Sequence, residues 1–431
     1  MQVESHVQTA EVAVSATRQR VVLVVILLIT LLIAYLDRVN VSVLVADNTF
    51  LTDMNIKGQP IRMGMLMTLF LIAYGVANVL LSPLGDIIGP RRAMMISIFL
   101  WTVSVLIGGL TATFAIMLTS RVILGVGEGM HWPMQSAFVK NWFPPNERGK
   151  ANACWLIGLM AGPAVAMPFF TWVVSTWGWR PSFFVLATFG LIPLFLLWFF
   201  VTDHPRQHKN VNKAELDYIE TALKAEAEEQ KKMKMESLWQ RIGSFSLNYR
   251  FWLLTINYFA IASIWWGMMA WLPSYLKASR GFSWAAMGAL SSLPYILGTV
   301  SILFFGHLGD KLGRRAPLAA VAHALSAFCI YFGAHAADNI TAALLLSLGI
   351  ASMAIALPAS WALLQRIVPA GAIGAGAGMM NGLANGSSAF APAVIGYFIA
   401  ITGGYIGGLM FLVGVAALGC ICMAVLTVQK Y

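Results

Sequence analysis

Twelve apolar stretches punctuate the chain, at 21–45, 62–82, 93–113, 116–139, 150–173, 181–201, 250–275, 287–308, 316–336, 340–364, 371–399 and 404–427. Each is close to the length of about 20 residues that a helix needs to cross a bilayer. The pattern predicts an all-α membrane protein with twelve transmembrane helices. Gly125, Gly127, Gly129, Pro133, Gly158, Gly162 and Pro163 fall inside these stretches. They do not argue against helix, because bilayer helices tolerate Gly and Pro and use small residues for close packing. One long polar stretch, 202–249, contains the mixed-charge run AELDYIETALKAEAEEQKKMK. It reads as a solvated connector with an amphipathic helix. The expected organisation is a tail at 1–20, a six-helix bundle at 21–201, the connector at 202–249, a second bundle at 250–427 and an end at 428–431.

Composition supports a bilayer as solvent. The chain is 59% hydrophobic and 11% charged, whereas soluble domains average about 25% charged. The formal net charge of +10 does not mark a nucleic-acid partner, because the basic residues gather in alternate loops. Loops 86–92, 140–150, 202–249, 309–315 and 365–370 hold most of them, with both termini. The opposite loops hold Lys57, Arg62, Arg180, Lys277 and Arg280. The bias places the first set and both termini in the cytoplasm of a cell whose inner membrane carries the protein. The first twenty residues are polar and hold no cleavable apolar core. Cys154, Cys329, Cys420 and Cys422 lie in apolar runs and read as small hydrophobes. Trp101, Trp142, Trp177 and Trp179 fall near span ends and read as interface anchors.

Against that background the charges inside the spans stand out. Asp37 and Arg38 sit side by side in the first, and Arg121 and Glu128 in the fourth. A charge at the bilayer centre costs roughly 2.5–3.5 kcal/mol on insertion scales, so such residues usually serve a polar site. An anion entering the membrane needs a fixed cation, and Arg38, with its planar fork, suits a carboxylate or a sulfonate. Glu128 is the candidate proton carrier: a carboxyl in low dielectric can be neutral at one stage of a cycle and ionised at another. Protonated Glu128 would leave Arg38 free for the anion. Asp37 is either a second proton site or a carboxylate held by its neighbours. Arg121, two turns before Glu128 on one face, is placed to pair with Asp37 or Glu128, or simply to pack. Tyr35 shares a face with Arg38, and Tyr74 is a second hydroxyl at membrane depth. The second half offers neutral candidates: Ser360, Trp361 and Gln365, then Asn381 and Asn385 four apart on one face. His131 reads as a packed histidine near Glu128.

The halves also repeat. Asp86-Ile-Ile-Gly89-Pro-Arg91-Arg92 follows the second span, and Gly306-His-Leu-Gly-Asp310-Lys-Leu-Gly313-Arg314-Arg315 follows the eighth. Matched loops of this kind mark transporters in which two bundles rock about a central site. Their Asp can sit near a helix N-terminus or pair with an Arg, locking one conformation.

These loops resemble the signature of the major facilitator superfamily, with Ser82 where a Gly is usual and Pro90 interrupting the Gly-Arg step. More narrowly, YLDRVNVSV (35–43), RVILGVGEGMHWP (121–133) and NWFPPNERGKANA (141–153) are similar to the anion:cation symporter family. That resemblance implies two six-helix bundles in the major facilitator fold and proton-coupled import of a small organic anion by alternating access. Sugar acids of the hexonate or glucarate type are the leading cargo. Short sulfonates or carboxylates, aromatic acids, and export or exchange are the alternatives. It implies that Arg38 contacts the acid group, with Tyr35, Tyr74, Trp361 and Asn381 in the cavity, and that Glu128 and Asp37 exchange protons. Asp86, Arg91, Arg92, Asp310, Arg314 and Arg315 would form the gate. The energy source would be the proton gradient, with no cofactor or metal, and the working unit a monomer. An enzyme is not expected: no metal cluster or nucleophile-base pair is legible, and Gly125-Val-Gly127-Glu128-Gly129 follows no strand. A receptor would need a larger signalling domain than 202–249.

Overall fold

The computed structural model describes residues 16–232, 237–312 and 314–430. Twelve long helices form it. In the first half these are α1 (Gln19–Leu44), α2 (Pro60–Leu81), α3 (Pro90–Leu110), α4 (Phe114–Trp142), α5 (Arg148–Trp177) and α6 (Trp179–Phe200). The second half has α7 (Tyr249–Ser274), α8 (Trp284–Leu312), α9 (Ala316–His335), α10 (Asn339–Ile367), α11 (Ile373–Thr402) and α12 (Tyr405–Val428). Their starts follow local chemistry. Pro opens α2, α3 and α9 at a position whose N–H has no intrahelical partner. Thr113, Asn248 and Asp338 cap α4, α7 and α10 with side-chain oxygens.

Eleven of these helices are apolar and long enough to cross a membrane by composition alone. The twelfth, α4, has 29 residues, and its buried face carries Arg121, Glu128, His131 and Gln135. Its glycines explain how so polar a face enters the bundle. A Cβ on Gly129 would come within 2.6 Å of the Tyr74 carbonyl on α2, and one on Gly127 within 2.9 Å of the Trp101 nitrogen on α3. Gly125 packs on the Phe70 carbonyl of α2 in the same way. The bare backbones approach, the Ser97 hydroxyl donates to the Gly127 carbonyl at 2.5 Å, and Glu128 projects between them.

The connector carries a helix whose described residues are mostly exposed or half-buried, and it also makes contacts with the first half. Its helix Lys213–Lys232 docks on the first half. Glu215 is buried and accepts from the Gln19 and Arg20 N–H groups and the Thr17 hydroxyl. It supplies the N-terminal cap that Arg18 does not provide for α1. Arg148 grips Glu226 with both terminal nitrogens at 2.8 and 2.7 Å, which holds that carboxyl below its ordinary ionisation range.

Three of the four tryptophans expected at the interface are interior. Trp101 packs against His131, Trp142 donates to the Thr202 carbonyl, and Trp179 donates to Asp53. All three are buried, because each indole N–H or ring face finds a partner inside the bundle. Trp177 is exposed, as an interface anchor should be.

The two halves meet at the end away from the basic loops. Gly64 of α2 lies on the Pro392 carbonyl of α11, and the Ala393 N–H donates to the Thr68 hydroxyl at 3.2 Å. Gly396 lies on the Pro60 carbonyl, and Gly288 of α8 on Thr171 and Pro168 of α5. Toward the basic loops, the first segment of α11, Ile373–Ser388, buries only Gly376, Met380, Ala384 and Ser388. That stripe leans mainly on its own half, and a Cβ on Gly378, Gly382 or Gly386 would meet no neighbour within 4 Å.

Candidate functional site

Arg38 sits about three-quarters of the way along α1, with 5% of its side chain exposed, and its Nη2 lies 2.5 Å from Oε2 of the fully buried Glu128. An ion pair this deep requires close geometry to offset desolvation. Aromatic rings wall it in: the guanidinium lies 4.5 Å from the Tyr35 ring centroid, 5.3 Å from Tyr74 and 5.5 Å from Phe70. A fourth ring, Trp266 at 5.8 Å, comes from α7 in the opposite half. Such contacts attract a cation electrostatically, the more so where water is excluded.

Trp266 continues the wall. Its indole N–H points to Asn385 Oδ1 at 3.5 Å, and Asn385 donates to Asn381 Oδ1 at 2.8 Å. Charge on α1 and α4 is thus joined through one tryptophan to a neutral amide row on α11. Asn381 is exposed and Asn385 half-buried. Trp361 meets Tyr258 edge to face at 5.7 Å, and Gln365 is exposed one turn further along α10.

Asp37 and Arg121 are buried beside this pair. Arg121 is near enough to interact electrostatically with both carboxylates, yet among the described residues it forms an ion pair with neither. Its guanidinium faces the Phe183 ring at 5.5 Å, and its Nε and Nη2 have no hydrogen-bond partner among the described residues. The direct pairing of Arg121 with Asp37 or Glu128 is therefore replaced by a looser arrangement, because Arg38 already holds Glu128. His131 is buried, and Gln135 bridges its Nε2, at 3.0 Å, to the Leu27 carbonyl of α1.

The signature loops behave differently from a simple charge lock. Asp86 lies in the first turn of the short helix Leu84–Ile88 and is exposed. No ion pair joins it to Arg91 or Arg92 among the described residues. Instead Arg91 donates to the carbonyls of Leu197 and Trp198 on α6, at 3.1 and 2.5 Å, and its N–H donates to Asp203 at 2.7 Å. Gly89, at φ 87°, makes the turn possible, since a Cβ there would come 2.7 Å from the Asp203 carboxylate. Arg92 and Arg314 are exposed, and Arg315 stands at the start of α9. Asp310 lies outside the residues whose side chains are described. Sequence reasoning missed Asp203 and Phe70. Asp203 is one acid in a charged stretch and Phe70 one aromatic in an apolar run, so neither carries a local signal.

Residues 27–392 match the model of the Major Facilitator Superfamily. A probable sulfoacetate transporter of Cupriavidus necator is 29% identical over 90% of this chain and 88% of its own length. A D-galactonate transporter of Escherichia coli is 27% identical over 93% of this chain and 94% of its own. A bacterial homologue of the human lysosomal transporter Spinster, crystallised inward-facing and unoccupied, superposes with a TM-score of 0.76. That alignment covers 95% of this chain and 98% of that one at 15% identity, so it speaks to the fold alone.

Proposed function

The chain belongs to the Major Facilitator Superfamily, and on that premise we propose that it is a secondary transporter importing a small organic anion, of the sugar-acid type, together with protons. The observation that carries this reading is the buried Arg38–Glu128 pair at 2.5 Å, walled by rings from both halves. Arg38, Arg121, Asp37 and Glu128 are all buried, and their formal charges sum to zero. A monoanion arriving at Arg38 would leave one uncompensated negative charge in low dielectric, which is costly. Uptake of one proton by a carboxyl restores neutrality. Glu128 is the acid placed to take it, because the anion must displace it from Arg38. Coupling then follows: the proton releases the guanidinium, and the anion occupies it.

The basic loops mark the cytoplasmic side on the charge-bias rule, and on that reading the arrangement is an inward-open state with the outer end closed. Tyr35 and Tyr74 flank the acid group, while Asn381, Trp361 and Gln365 face the body of the cargo. A short sulfonate is the second reading, favoured by the relative named for sulfoacetate.

The test is uptake in proteoliposomes with D-galactonate, D-glucarate and sulfoacetate. Wild-type protein should accumulate at least one acid when the interior is alkaline. Glu128→Gln should lose pH-driven accumulation while retaining counterflow exchange of the same acid. Full pH-driven accumulation by Glu128→Gln would remove the proton role, and no uptake of any of the three by the wild type would remove the substrate reading.

A further inference from the structure

The second half contains a buried histidine that the coupling scheme leaves unused. His323 on α9 is fully buried, with Nε2 2.8 Å from Asn257 Oδ1 on α7. Asn257, also fully buried, donates from Nδ2 to Ser360 Oγ on α10 at 2.7 Å. Ser360 in turn donates to the Ala356 carbonyl at 2.8 Å. The serine sets the direction of the chain. Its single proton goes to Ala356, so it accepts from the amide nitrogen of Asn257, and the amide oxygen is left facing His323. His323 therefore carries a proton on Nε2, while Nδ1 has no hydrogen-bond partner among the described residues. The ring lies flat on α12, where a Cβ on Gly419 would come 2.6 Å from Cε1. Four helices, α7, α9, α10 and α12, thus meet at one side chain.

The neighbours of this network form the wall. Asn257 precedes Tyr258, and Ser360 precedes Trp361; these two rings make the edge-to-face contact at 5.7 Å. Tyr258 lies eight residues before Trp266, about 12 Å along α7 at the helical rise. The acid-binding end and the Tyr258–Trp361 pair therefore stand at two depths along α7, the pair nearer the basic loops.

Resting on the proposed anion transport, we infer that His323 is a positioning residue that sets how long a cargo the site accepts. By fixing α7 against α10 through Asn257 and Ser360, it fixes the Tyr258–Trp361 pair at the far end of the opening. Losing the donor leaves Asn257 Oδ1 buried without a partner, which is unfavourable unless the two helices shift. Such a shift moves the far wall and leaves Arg38 in place. The consequence is a change in discrimination between long and short acids that share the same charged end.

The experiment compares His323→Gln, whose amide nitrogen keeps a donor within reach of Asn257, with His323→Leu, which has none. Apparent KM is measured in proteoliposomes for six-carbon D-galactonate and two-carbon glycolate, which share one 2-hydroxycarboxylate end, alongside melting temperature. His323→Leu should change the ratio of the two KM values by about fivefold or more, and His323→Gln by less than about twofold. A purely structural role would lower the melting temperature and leave the ratio unchanged, and that result overturns the inference. Should His323→Leu fail to fold, Ser360→Ala removes the acceptor at the other end and should move the ratio in the same direction; an unchanged ratio again overturns it. Nitrogen-15 histidine NMR on the wild type gives a readout that needs no transport: a protonated Nε2 is expected, and a bare Nε2 with the proton on Nδ1 refutes the network. That measurement separates failure here from failure of the anion reading itself.

Discussion

Arg38 illustrates why residue type matters more than charge at this site. Its guanidinium makes an ion pair and stands near four rings at once. A lysine ammonium could keep the charge, but it offers neither a planar fork nor a flat cation to lie against tyrosine. Arg38→Lys should therefore fold and reach the membrane, yet raise KM for the transported acid by about tenfold or more, equivalent to ~1.4 kcal/mol. Wild-type KM in that variant would show that the fork is not what the acid contacts. The same residue shows how far a local reading reaches. Two charges in an apolar stretch announce a polar site, and the spacing of Tyr35 and Arg38 on one helix face is legible without coordinates. That Arg38 prefers Glu128, ninety residues away and on another helix, to its chain neighbour Asp37 is not. Successive residues on a helix point in different directions, so only the packing of α1 against α4 selects the partner.

At the scale of elements, α4 is the informative helix. Its composition makes it the least typical span, and its glycines at 125, 127 and 129 compensate by letting α2 and α3 approach on either side of Glu128. Gly129→Ala places a methyl against the Tyr74 carbonyl, where 2.6 Å separates the ideal Cβ from the oxygen. The expected cost of overpacking is about 1–3 kcal/mol, read as a lower melting temperature in detergent. Transport should fall as well, because Tyr74 and Glu128 move together. An unchanged melting temperature would mean that the two helices are more loosely seated than the contact indicates. The connector teaches the complementary lesson. Its mixed charge reads equally well as a solvated helix, but Glu215 and Glu226 find the end of α1 and Arg148, contacts that exist only once the first half has folded.

For the whole molecule, the seam between halves decides which end is open. Gly64 and Gly396 allow α2 and α11 to touch through bare backbone at the end away from the basic loops. Gly396→Val puts a branched side chain onto the Pro60 carbonyl and should hold the halves apart there. In that background, a cysteine at Thr68 should react with a membrane-impermeant maleimide from outside about tenfold faster than in the parent, a shift of ~1.4 kcal/mol toward the outward-open state. Equal labelling rates would show that the glycine contact does not hold the seam shut. What the amino-acid sequence determined by itself was everything set by periodicity and solvent: twelve helices, their grouping in sixes, the bias of basic loops, and the presence of buried charge on α1 and α4. These follow from a chain whose apolar stretches must lie in hydrocarbon and whose backbone polar groups must bond within each helix. What only the tertiary structure decided was partnership: Arg38 with Glu128, Trp266 reaching across the halves, Arg91 with α6, His323 with Asn257. Each partnership joins residues on different helices, and which helices meet is fixed by close packing of small residues and rings, a property of pairs of surfaces that no single stretch of sequence contains.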